Sequence, residues 1–176
     1  TMNGELGPIY GHQWRHFNEP YKEPQMAPGN GYDVYVAPKP RDTSDQIAYV
    51  LNRLKNKPSC RRMVVSAWNP LVLPEDGLTT EQNIAKGYQA LPPCHMSFQL
   101  YVEPGTNKLS LMWTQRSADL GLGVPYNIAS YATLLYIMAA ITGNVPDRLI
   151  GNFGDTHLYL NHIDSGAVDK ILNQPT

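Results

Sequence analysis

The chain has 176 residues, 42% apolar and 16% charged, and its 14 basic and 15 acidic side chains leave a formal net charge of −1. That length suits one domain, and the apolar share belongs to a folded chain rather than a disordered one. The charge balance excludes the broadly basic surface that duplex nucleic acid requires. Charged residues are scarce against the roughly one quarter of an average domain, and 14 glycines and 15 prolines imply long irregular connections. Two cysteines, Cys60 and Cys94, cannot form a disulfide framework, so free thiols in a reducing, cytoplasmic compartment are expected. Residues 1–15 lack the basic region and apolar run of a secretory signal.

From the N-terminus, Gly7 to Phe17 is aromatic and glycine-bounded and reads as a short turn or helix. Residues 18–41, rich in proline and tyrosine, read as a long loop in which 32–36 could add a short strand. A helix follows, capped by Asp42, Thr43 or Ser44, with Ile47, Val50, Leu51 and Leu54 on one face and Pro58 beyond its end. Met63 to Trp68 is a strand-like run closed by Asn69-Pro70. Residues 74–89 form a second loop with helical potential at Thr80 to Lys86.

Met96 to Val102 and Lys108 to Thr114 alternate apolar and polar residues around the turn signature Pro104-Gly105-Thr106-Asn107, which predicts a hairpin. Met96, Phe98, Leu100 and Val102 share one face, as do Leu109, Leu111 and Trp113. Leu120 to Pro146 is uncharged and long enough to span a bilayer. Its glycines, its proline and its polar residues favour instead a buried core helix from about Tyr126 to Thr142, closed by Gly143. A strand-like Leu158-Tyr159-Leu160 then precedes a last amphipathic helix capped by Asn161 and carrying Ile163, Ala167, Ile171 and Leu172. The class is α+β, a mostly antiparallel or mixed sheet with the apolar helix against it.

Cys94 follows two prolines that stiffen its approach and offer no N–H donors. A thiol on a rigid turn before a strand is a workable nucleophile, and a buried structural thiol is the competing reading. His95, next in an extended chain, faces away from Cys94. Arg61, Arg62 and Arg116 lie at strand ends, suited either to bidentate phosphate or carboxylate binding or to surface solubility. His157 and His162 have no zinc-ligand spacing, so no metal is expected.

Four blocks in order, Leu91 to His95, Gln115 to Asp119, Gly121 to Tyr131 and Gly154 to His162, resemble the thymidylate synthase family. Gly7 to Arg15 and Arg61 to Pro70 match the same family upstream. The resemblance implies one thymidylate synthase domain over 1–176, with insertions at 18–41 and 75–89. It implies reductive methylation of dUMP to dTMP with 5,10-methylenetetrahydrofolate as co-substrate, through a covalent adduct of Cys94 at uracil C6. Cys94, Tyr10, Arg116 and Asp119 form the implied catalytic set: Tyr10 serves the proton step at C5, and Arg116 holds the phosphate and favours the thiolate. Gln115 and Ser117 join the dUMP pocket, Asn127 pairs with the uracil edge, and His157 and Tyr159 bind the 3′-hydroxyl. Asp119, Leu122, Gly123 and Tyr126 line the folate side. Tyr126 stands where the family commonly has phenylalanine. A homodimer is implied, formed through a sheet face, with Arg61 and Arg62 reaching the partner's phosphate site.

The resemblance begins partway into the family's length and stops after the segment containing Ile171. The family's arginine-bearing phosphate loop, glutamate-bearing helix and C-terminal closing tail are unmatched, and the catalytic unit is expected to be incomplete. Two alternatives follow, a dUMP hydroxymethylase, in which water replaces the hydride, and a non-catalytic fragment that binds nucleotide or dimerises. Members that bind their own messenger RNA exist, but the net charge lends no support here.

Overall fold

A computed structural model of the chain describes residues 4–19 and 45–174. Most of the 18–41 loop, its expected strand at 32–36 and the three expected capping residues Asp42, Thr43 and Ser44 lie outside the described residues. The chain forms two compact units, Thr1–Asn52 with Val64–Pro93, and Arg53–Met63 with Cys94–Thr176.

The first unit holds α1 (Tyr10–Arg15), most of α2 (Gln46–Asn56), the short strand β1 (Val64–Ser66), a 3-10 turn at Pro70–Val72 and α3 (Thr80–Ala85). Val50 and Leu54 on α2 are buried, as the spacing requires. The start of α2 is held by Asp45, one residue beyond the expected caps, whose Oδ1 accepts the Ala48 N–H at 2.9 Å. The second loop contains α3, begun by a reciprocal capping box. Thr79 Oγ1 accepts the Gln82 N–H, and Gln82 Oε1 accepts the Thr79 N–H.

The interior of this unit is stitched by amides. Gln13 and Gln89 both donate to the Pro8 carbonyl, at 2.8 and 3.1 Å. Asn69 donates to Gln13 Oε1 at 3.0 Å. The Gln46 side chain pairs with both backbone groups of Ser66 at 2.8 Å. Pairing of this kind offsets the cost of burying polar groups in a core.

The second unit is built on three long strands and a helix: β2 (His95–Val102), β3 (Lys108–Asp119), α4 (Gly123–Thr142) and β4 (Val145–His157), followed by α5 (Leu160–Asp164) and α6 (Ala167–Leu172). β2 and β3 pair antiparallel through the expected hairpin, with Gly105 and Asn107 at positive φ. Phe98, Leu100, Val102, Leu109, Leu111 and Trp113 are buried, each contributing about 1.5–3 kcal/mol over its exposed state. Met96 falls at an irregularity between His95 and Ser97 and is less buried than the apolar residues that follow it on β2.

β3 continues five residues past its expected end, because β4 pairs with it in parallel from Lys108↔Val145 to Asp119↔His157. α4 is the crossover that parallel neighbours require. The sheet is therefore mixed. Three expectations change at this end of the chain. The sequence reading assigns no element to 145–157, where β4 forms, and the stretch Leu158-Tyr159-Leu160 expected as a strand lies just beyond it, with Leu160 already helical. The last helix is divided in two at Gly166, whose φ is +68°, and Asn161 lies inside α5 with Tyr159 at the capping position. α4 ends at Gly143, as expected, in the left-handed conformation. Its burial, however, is confined to Val124, Tyr131, Leu135, Met138 and Ala139, while Tyr126, Tyr136, Ile137 and Ile141 are at least half exposed. Among the described residues, α4 is the helix long and apolar enough to cross a membrane by length and composition.

Candidate active site

The second unit brings together the ends of β2, β3 and α4. The Cys94 carbonyl accepts the Arg116 N–H at 2.8 Å, which ties the proline-stiffened turn to β3 one residue before β2 begins. Cys94 is half-buried and is a free thiol, as is Cys60. Across the ladder His95 stands opposite Gln115. Gly154 of β4 lies against the Arg116 backbone so closely that a Cβ there would sit 2.7 Å from the Arg116 carbonyl oxygen.

Gln115 is 3% exposed. Its amide nitrogen donates to the Ser117 carbonyl at 2.9 Å and to Asn127 Oδ1 at 3.0 Å, and its Oε1 accepts the Trp113 indole N–H at 3.2 Å. Asn127 lies in the second turn of α4, and Tyr131 is one further turn along. The Asn127 amide nitrogen is 3.2 Å from His95 Nε2, and the Tyr131 hydroxyl is 3.2 Å from His95 Nδ1. The Tyr131 ring stacks on Trp113, with centroids 5.2 Å apart. Burial pushes the His95 pKa below its ordinary value.

Asp119 closes β3 and opens α4. Its two oxygens accept the Gly121 and Gly123 N–H groups at 3.0 and 3.1 Å. Partial burial works against its charge, but the N–H groups of Gly123, Gly121 and Leu122 and the facing His162 outweigh it and hold the carboxyl below its usual range. His162 Nδ1 is 3.6 Å from Asp119 Oδ1. A Cβ at residue 121 would run into the His162 ring, so glycine is what permits that approach. Leu122 and Tyr126, at the start of α4, have 56% and 68% of their surfaces exposed.

His157, paired in register with Asp119, ends β4 with its Nδ1 3.6 Å from Asp155. Tyr159 packs edge-on against it at 4.9 Å. Arg61 and Arg62 are exposed in the segment before Met63, where the Arg61 carbonyl accepts from Gln99 at 3.3 Å. Tyr10 opens α1 in the first unit.

Twelve of the expected residues thus share the second unit with Cys94, and Gln115, Asn127, Asp119 and Gly123 are directly bonded among themselves in two pairs. Sequence reasoning took Trp113 only as an apolar strand residue, weighed His162 only as a metal ligand, gave Tyr131 no role and treated His95 only as a poor base for Cys94. The i, i+4 spacing of Asn127 and Tyr131 was the available signal, since it places both on one helix face. Among the described residues no group of three His, Cys, Asp or Glu side chains could hold a metal ion.

The family model described as thymidylate synthase matches residues 1–175. Thymidylate synthase of Francisella tularensis subsp. holarctica is 47% identical over 164 residues, covering 93% of this chain and 51% of that protein. Thymidylate synthase of Francisella philomiragia subsp. philomiragia matches with the same identity and coverage. The chain spans about half the length of the curated relatives it matches. With the motif blocks in order and a match of this extent, the chain belongs to the thymidylate synthase family.

Proposed function

We propose that residues 1–176 are part of one catalytic domain that methylates dUMP reductively to dTMP, with 18–41 and 75–89 as inserted loops. Cys94 Sγ adds to uracil C6, and the electron pair of the C5–C6 double bond moves toward the O4 carbonyl, making C5 nucleophilic. The co-substrate 5,10-methylenetetrahydrofolate supplies one carbon to C5 and then a hydride, and leaves as dihydrofolate. Tyr10 serves removal of the C5 proton, and expulsion of Cys94 restores the double bond. Arg116 binds the phosphate with Ser117 and Gln115 beside it, and the Asn127 amide pairs with uracil N3–H and O4. His157 and Tyr159 hold the 3′-hydroxyl.

The residues on the folate side suit a flat heterocycle with N–H donors. Leu122 and Tyr126 offer exposed apolar and aromatic surface beside a carboxylate. Two carboxylate oxygens accept about four bonds, so the backbone N–H groups of Gly121, Leu122 and Gly123 leave Asp119 with acceptor capacity for such donors.

Two copies pair through the sheet face away from α4, where Gln99, Tyr101, Ser110, Met112, Arg148 and Ile150 line a shallow depression. Tyr101 and Ile150 are nearly half exposed there. Arg61 and Arg62 reach the partner's phosphate site across this face. The compartment is cytoplasmic, in keeping with two free thiols.

The observation that carries this reading is the tie between the Cys94 turn and Arg116, with the Gln115–Asn127 amide pair one residue away. Protein with this chain should release tritium from 5-tritiated dUMP with 5,10-methylenetetrahydrofolate, and Cys94→Ser should abolish release while retaining dUMP binding. Binding without release from the unaltered protein would sink the methylation reading.

A further inference from the structure

The loop 75–89 is tied to the segment that leads into α1, and both belong to the first unit. One buried side chain joins the loop's own ends. Asn83 accepts the Glu75 N–H on its amide oxygen at 2.8 Å and the Tyr88 N–H on its carbonyl at 2.9 Å. The Val72 carbonyl accepts the Gln89 N–H at 2.8 Å, and the Leu6 carbonyl accepts the Ala90 N–H at 3.0 Å. Gly7 has a φ of +69°, and a Cβ there would run into the Tyr88 carbonyl oxygen.

Gln89, the last residue of the loop, is fully buried. The Pro8 carbonyl can only accept, so the Gln89 atom facing it at 3.1 Å is the amide nitrogen. Gln89 Oε1 is then buried with no hydrogen-bond partner among the described residues. An unpaired buried acceptor loses more than one bond to a carbonyl gains. Gln89 is therefore a poor choice for stability, and an apolar side chain of the same length would serve packing as well.

The start of α1 gives this amide a use. The helix has six residues, with apolar Ile9 at its capping position, and is too short to hold itself. The Pro8 carbonyl, two residues before Tyr10, takes one bond from Gln13 inside the helix and one from Gln89 outside it. The Gln13 bond travels with α1. The Gln89 bond ties the entry of α1 to the run that continues into Leu91-Pro92-Pro93.

We propose that Gln89 is a positioning residue for Tyr10. It locks the entry of α1 to the end of the 75–89 loop, at a cost in stability, and so sets where the Tyr10 hydroxyl stands for the proton step at C5. The inference rests on the assignment of Tyr10 to that step.

Gln89→Met keeps an unbranched side chain of the same length and removes both the donor and the orphaned oxygen. Its thermal midpoint should equal or exceed that of the unaltered protein. The His12 N–H closes the first turn of α1 on the Ile9 carbonyl at 2.9 Å. Its hydrogen exchange should quicken by roughly fivefold or more, the equivalent of one lost hydrogen bond. With tracer 5-tritiated dUMP and 5,10-methylenetetrahydrofolate, dTMP formation should fall by roughly tenfold or more, with dUMP binding unchanged. Tritium release should lag further behind dTMP formation, because breaking the bond at C5 has become the slow step. A merely structural defect lowers both in proportion. Lys86→Ala removes an exposed ion pair with Glu75 on the same loop and should change none of these.

Unchanged His12 exchange in Gln89→Met overturns the anchor. Quickened exchange without the added lag in tritium release overturns the positioning of Tyr10. A lower midpoint, or failure to fold, makes Gln89 a structural residue and overturns the proposal. If the unaltered protein releases no tritium, the assignment of Tyr10 fails, and His12 exchange alone decides whether Gln89 anchors α1.

Discussion

Replacing Gly154 with alanine tests whether the position of Arg116, and through it Cys94, depends on close approach of β4 to β3. The ideal Cβ at residue 154 would lie 2.7 Å from the Arg116 carbonyl oxygen and 3.3 Å from its Cα and carbonyl carbon. These are backbone atoms and cannot rotate aside. Ordinary contact begins at about 3.4 Å, so the strands must part by about 0.7 Å at this point. The flanking register pairs are Gln115↔Phe153 and Ser117↔Asp155. Ladder bonds of about 2.9 Å there would stretch to about 3.6 Å, beyond useful geometry. Overpacking of this kind costs about 1–3 kcal/mol, and at about 2–4 °C per kcal/mol for a chain of this size the midpoint of thermal unfolding should fall by roughly 2–12 °C. Because the Arg116 N–H is bonded to the Cys94 carbonyl, its hydrogen exchange should quicken in the same variant. Gly11→Ala is the control: its Cβ meets nothing within 4 Å and its φ is ordinary, so alanine there should stabilise α1 by about 0.5–1 kcal/mol. A Gly154→Ala protein as stable as the parent would refute the close-packing argument.

Three further outcomes follow from groups described above. Asp45→Ala removes both the α2 cap and a buried partner of Arg15, bonded at 2.7 Å. Since Arg15 is half exposed, the loss should be about 1–3 kcal/mol, read from urea unfolding. Asp119→Asn removes one strong acceptor from the first turn of α4 and should cost about 1 kcal/mol at neutral pH. The folded pKa of Asp119 lies below 3.8, so its stabilisation is present above that value and vanishes as pH falls through the lowered one; the variant's acid unfolding limb should be correspondingly flatter. His95 is also held below its ordinary 6.5: the folded state resists its protonation, so its contribution is complete above about 6.5 and declines as pH falls toward the lowered value. His95→Gln should remove that part of the pH dependence, measured by thermal unfolding between pH 7 and the acid limb.

The hairpin was legible because two signals agreed. Phe98, Leu100 and Val102 alternate against Leu109, Leu111 and Trp113, and Gly105 and Asn107 supply the positive φ values that the turn requires. The end of α4 was legible for the same reason, Gly143 being left-handed where the apolar run stops. β4 was not legible, because Pro146, Asp147, Gly151, Asn152, Gly154 and Asp155 read as connection. Its strand character comes from pairing with β3, and Gly154 serves close approach rather than a turn. α4 shows the limit of composition: an uncharged helix was read as a core helix, and only one stripe of it is covered. The motif blocks supplied the expected site residues, but the bond from Arg116 to Cys94 and the approach of His95 to Asn127 depend on ladder register, which no local window contains.

The scarcity of charge acquires a meaning in the interior. Among the described residues, most of the buried polar side chains are amides, Gln13, Asn69, Asn83 and Gln89 in one unit and Gln115 in the other, beside His16 and Asp45. A buried carboxylate or ammonium offers one kind of bond and carries a large desolvation cost. An amide offers a donor and an acceptor on one rigid group, so a chain of amides transmits orientation from link to link. Gln46 uses this to stand in for a strand, meeting the N–H and the carbonyl of Ser66 together. In the second unit the same chemistry begins at the Trp113 indole, which can only donate, and at the Ser117 carbonyl, which can only accept, and those two groups set the direction of the Gln115 amide and of its bond to Asn127.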